Sequence, residues 1–109
     1  YLFTNAVVMP TYGGPTNLPI YESFYFKKII FYTKDLIPND SINERMICID
    51  VSKPEDFLNK LPICFDENKI KKMTDSNYEY FKDVCSEIAF KKNYEKIIDD
   101  FSNLLNRWR

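Results

Sequence analysis

Histidine is absent from this chain of 109 residues. Its absence removes the commonest general acid–base group and the commonest metal ligand, so any chemistry would fall to carboxylates, hydroxyls, lysine or backbone dipoles. Cysteine occurs three times, at Cys48, Cys64 and Cys85, an odd and widely spaced set that fits reduced thiols rather than a disulfide framework or a zinc site. An excess of either charge is also lacking: 15 basic residues face 16 acidic ones, for a net charge of -1. The uniform positive field that a phosphate backbone requires is therefore missing, and nucleic acid is not an expected partner. No apolar run approaches the roughly 18 residues of a membrane span, and the opening YLFTN lacks the charged and apolar regions of a signal peptide. A cytoplasmic location is the expectation. Glycine occurs only twice, and the two residues, Gly13 and Gly14, sit side by side.

What is present suffices for one core. Hydrophobic residues make up 45% of the chain and aromatic residues 17%, enough to fill the interior of a single domain, while 28% charged residues can solvate its surface. There is no internal repeat, low-complexity tract or linker to divide it, so residues 1–109 read as one unit. A chain that starts at a strand without an initiating methionine reads as part of a larger Rossmann-like domain.

The pattern alternates strands with helices. "AVVMP", Ala6 to Pro10, is β-branched and free of turn signals, which predicts a buried strand ended by proline. Thr16 and Asn17 are N-cap candidates ahead of a helix from about Leu18 to Phe26, with Pro19 where the first turn tolerates it. "KIIFYT", Lys28 to Thr33, predicts a second strand, and "KDLIPNDSINER" a loop. "MICIDV", Met46 to Val51, predicts a third strand, followed by a capping box of Ser52 and Glu55 and a helix to about Leu61. Beyond Asp66 the apolar stripe is helical but interrupted at Asn77. A cleaner amphipathic helix, from Phe90 to Trp108, ends the sequence. Such alternation implies parallel pairing through right-handed crossovers, and so an α/β fold with helices flanking the sheet.

In open α/β sheets, ligands bind beyond the carboxyl ends of the strands, where a loop leads into a helix whose first amides point outward. The stretch "MPTYGGPTNLPIYES" occupies that place. Gly13 and Gly14 would allow close approach of the backbone, and the amides around Thr16, Asn17 and Leu18 suit a phosphate. A glycine turn that binds nothing is the alternative. Glu22 falls in the first turns of a helix that is apolar almost all round, and a buried carboxylate there needs a partner: ribose hydroxyls on one account, a lysine or the helix dipole on the other.

Taken together, "AVVMPTYGGPTNLPIYES", the strand "KKIIFYT" and the segment "MICIDVSKPED" resemble the C-terminal, donor-binding half of glycosyltransferase family four, enzymes of GT-B architecture. In that family a strand ends in Pro-Ser or Pro-Thr. A loop reading roughly Glu-Gly-Phe-Gly-Leu-Pro follows, and then a helix with a second glutamate eight residues after the first. Pro10, Thr11, Leu18, Pro19 and Glu22 match in order and spacing. The resemblance implies that Glu22 hydrogen-bonds the ribose of a nucleotide diphosphate sugar and that amides of Asn17 and Leu18, with Thr16 in the same turn, meet the diphosphate. It implies hexosyl transfer, with retention of configuration, to a glycan, lipid or small acceptor, with an N-terminal acceptor domain as partner.

Gly14 stands where the family has its first glutamate, so the paired acids are reduced to one. "GGPTNLP" is similar to a branch of the family that would hold its sugar by backbone or by residues elsewhere. Lys27, Lys28 and Ile29 replace the family's usual glycine, small residue and proline. The Arg and Lys that the family places in earlier strands are not among these 109 residues, so the chain alone is not expected to turn over. No Asp-x-Asp triplet occurs, which predicts donor binding without a metal or other cofactor. Asp50 at the end of the third strand is a phosphoryl acceptor only in a response-regulator setting, and the first strand has no acid to complete one. Lys91, Lys92 and Lys96 read as a solvated helix face, with peripheral membrane association of the full-length enzyme as the lesser alternative. A noncatalytic Rossmann-like interaction module, or a decayed transferase domain, is the competing account.

Overall fold

The computed structural model describes residues 1–11, 18–36 and 40–109. It divides into two compact units, Tyr1–Glu79 and Tyr80–Arg109. The first holds a three-stranded parallel sheet in the order β1-β2-β3, with β1 at Ala6–Met9, β2 at Ile29–Thr33 and β3 at Ile47–Ile49. The α/β class is therefore observed, as a three-stranded parallel sheet flanked by helices.

Every residue of β2 is buried, because the strand is paired on both edges and covered on both faces. β1 departs from the buried strand expected of Ala6 to Pro10: it is half-buried, and Val8 is 42% exposed. Among the described residues it pairs on one side only. Register aligns Val8 with Phe31 and Phe31 with Ile47, so alternate residues Ile29, Phe31, Ile47 and Ile49 share one face and form a core cluster. Ala6, Val51, Phe57, Ile63, Ile70 and Met73 pack against it. The Phe31 and Phe57 rings meet edge to face at 5.1 Å.

Helix α1, Leu18–Tyr25, connects β1 to β2, and the single turn α2, Asp40–Asn43, lies in the connection from β2 to β3. α1 packs on β2, and none of its residues belongs to the Phe31 cluster. α1 buries Ile20, Ser23 and Phe24, spaced three and one, while Leu18 and Tyr25 are exposed. The all-round burial expected of this helix is thus corrected to one stripe. Its C-terminus closes with Lys28 N donating to Ser23 O at 2.8 Å and Lys27 N to Phe24 O at 3.2 Å. That paired closure requires a left-handed residue, and Lys27 takes it at φ 53°.

The segment expected as a loop after Thr33 contains a 3-10 turn, Lys34–Leu36, and α2. Ile42 is fully buried, so one turn of helix is recruited by burial of a single apolar side chain. Helix α3, Pro54–Lys60, begins at proline as expected, but the capping box does not form: Lys53 is the N-cap without a side-chain bond. Ser52 turns instead to Asp50. A 3-10 turn, Leu61–Phe65, leads to helix α4, Glu67–Cys85.

Ser86 interrupts the helical run by capping helix α5, Glu87–Arg107, its hydroxyl accepting from Ala89 N at 3.1 Å. In the second unit the stripe of Tyr94, Ile97, Ile98, Phe101 and Trp108 is exposed. Among the described residues no helix is long and apolar enough to cross a membrane.

Candidate functional site

Parallel pairing brings the carboxyl ends of the three strands to one edge of the sheet. Thr33 ties two of them together by donating its hydroxyl to Met9 O at 3.3 Å. From this edge, β1 runs through Pro10 and Thr11 toward α1, where Leu18 is 64% exposed at the first helical position. Gly13, Gly14, Thr16 and Asn17, the proposed phosphate-binding loop, lie outside the described residues.

Glu22 is half-buried on α1 rather than enclosed, and its partner is neither a lysine nor solvent alone. The Tyr1 phenol donates to Glu22 Oε2 at 2.6 Å while its ring stacks on Phe26, centroids 5.2 Å apart and planes within 6°. Burial, reinforced by the bond to Glu22 and by its charge, pushes the Tyr1 phenol up to about 12. The carboxylate thus receives a hydroxyl, the kind of donor a ribose would present.

A second polar group stands at the ends of β2 and β3. Asp50 accepts at Oδ1 from the Ser52 hydroxyl at 2.5 Å and at Oδ2 from Lys34 Nζ at 2.9 Å. These bonds hold its carboxyl well below the usual range. Asp56 Oδ2 accepts from Lys60 Nζ at 2.7 Å and from the Asp50 amide at 2.8 Å, and its carboxyl is lowered for those two reasons. Lys60 Nζ also donates to Cys48 O at 2.6 Å, pinning α3 to β3. Of this group the sequence pointed to Asp50, and to Ser52 only as a helix cap. Asp56 and Lys60 carry the signal of a pair four apart on a helix, but Lys34 meets Asp50 only through the register of β2 on β3.

Beside this group a cavity of about 420 Å³ opens between β1, β3 and α3, lined by Val8, Pro10, Ile49, Val51, Phe57 and Leu58. Its walls are apolar, and Asp50 and Lys53 stand at its margin. The cysteines are free thiols raised by burial, and Cys48 donates to Asn43 Oδ1 at 2.8 Å. The carboxyl edge therefore presents a self-neutralised Lys–Asp group at Asp50 and an apolar recess, while Glu22 on α1 accepts the Tyr1 hydroxyl. No family model, curated protein or solved structure matches the chain.

Proposed function

We propose that this chain is the donor-binding part of a nucleotide-sugar-dependent, retaining glycosyltransferase that moves a hexosyl unit to a glycan, lipid or small acceptor. One observation carries the proposal: a half-buried carboxylate, Glu22, already accepts a hydroxyl at 2.6 Å on the helix that follows the carboxyl end of β1. The spacing from Pro10 to Glu22 supports it.

In this reading Glu22 binds ribose, and the turn from Thr16 to Leu18, approached past Gly13 and Gly14, takes the diphosphate on backbone amides. The sugar is held without an acid at position 14, and no metal is required. An N-terminal acceptor domain supplies the other half of the active site, so the 109 residues bind donor without turning it over.

Nucleoside diphosphate should raise the melting temperature of the chain, because a ligand of the native state alone stabilises it. Glu22→Gln should weaken that binding about tenfold or more, the worth of a hydrogen bond to a charged group. Absence of any shift at millimolar UDP, GDP or ADP would leave the second reading, a noncatalytic Rossmann-like module. One observation favours that reading: Gly14 stands where the resemblance implies an acid.

A further inference from the structure

A cleft of about 390 Å³ opens at the amino end of β3, the end opposite Asp50, and neither Asp50 nor Glu22 lines it. One wall is the turn Glu44–Arg45 that enters β3, and the other is the face of α4 carrying Lys69, Lys72 and Ser76. Those α4 positions recur at three and four, so helical geometry stacks them on one side. Ile63 and Met73 form an apolar floor, both packed against the Phe31 cluster.

The charge of this cleft is one-sided. Three cations, Arg45, Lys69 and Lys72, line it against one carboxylate, Glu44. Lys69 is shared with Asp66 at 3.4 Å, whereas Lys72 makes no ion pair among the described residues. Arg45 is held in place: its carbonyl accepts from Asn77 Nδ2 at 2.8 Å, and its Nη1 donates to the Ser76 hydroxyl at 3.3 Å and to Ser76 O at 3.4 Å. Asn77 is 1% exposed, so the backbone of Arg45 is anchored from within the fold, while Ser76 on α4 orients its guanidinium. A positioned guanidinium, two ammonium groups and a hydroxyl around an apolar floor match a phosphate carried on a small carbon skeleton.

We propose that this cleft is a second ligand site, for a small organic phosphate, separate from the candidate nucleotide site and independent of it. The phosphate lies among Arg45, Lys69 and Lys72, and the carbon skeleton rests on Ile63 and Met73. Phenyl phosphate is the probe, added at constant ionic strength and followed by amide chemical shifts of the 109-residue chain. The expected result is saturable movement of amides at Glu44, Arg45, Ile63 and Lys69 to Asn77. Lys72→Glu, at an exposed position, should weaken the probe about tenfold or more, while Lys91→Glu, the same charge change on α5, should leave it unaltered. The proposal fails if shifts rise without saturation, if Lys91→Glu weakens binding as much as Lys72→Glu, or if the moving amides are those of Leu18 to Glu22. Because the readout separates the amides of the cleft from those of α1, loss of nucleotide binding in Glu22→Gln does not bear on it.

Discussion

The Tyr1 phenol and the Glu22 carboxylate, 21 positions apart, meet at 2.6 Å while the Tyr1 ring lies flat on Phe26. The proton on Tyr1 is held by burial and by Glu22, which raise the phenol to about 12. A group whose folded value lies above its ordinary value of 10.0 contributes stability that is complete below about pH 10 and lost as pH rises toward about 12. Tyr1→Phe should therefore flatten the decline of melting temperature in that window. Parallel decline in both proteins would show that the contact does not persist in solution.

Lys27 adopts φ 53°, a left-handed conformation that costs a side-chain-bearing residue more than glycine. Its ammonium meets Asp75 at 2.9 Å and lies 4.9 Å from the Tyr78 ring centroid. Lys27→Ala and Lys27→Gly both delete these contacts, but only glycine relieves the backbone. The glycine variant should melt above the alanine variant by about 4–8 °C. Equal melting temperatures would remove the left-handed closure of α1.

Asp50 is stabilised as the anion by Ser52 and Lys34, and Asp56 by Lys60 and the Asp50 amide. Depressed carboxylates stabilise the fold above their unfolded values and lose that contribution as pH falls through the folded ones. Melting temperature should fall as pH drops below about 4, the ordinary Asp range, and the slope should be shallower in Asp50→Asn. An unchanged slope would mean that Lys34 and Ser52 do not hold the carboxylate.

Asn77 donates to Arg45 O from a position that is 1% exposed. Asn77→Leu should destabilise the chain by about 1–3 kcal/mol in urea unfolding, because the carbonyl loses its partner in a buried setting. A neutral result would imply that water or another donor replaces the amide.

The strand–helix alternation was legible because it rests on short-range physics. "IIFYT" reads as a strand from its β-branched and aromatic content, and Pro54 starts α3 because its missing N–H is not needed there. Spacing of apolar residues likewise predicted α4 and most of α5.

Tertiary structure decided the partners. Asn77 looked like a flaw in the apolar stripe of α4, yet it is buried and pins the turn that enters β3. Ser52, placed by its spacing to Glu55 in a capping box, was taken by Asp50, whose other oxygen holds Lys34 across the sheet. The need of Glu22 for a partner followed from its helix, but Tyr1 as that partner did not, because a contact 21 residues apart depends on where β1 returns the chain. Local preference sets which element forms; only the packing of elements brings distant polar groups within hydrogen-bonding distance.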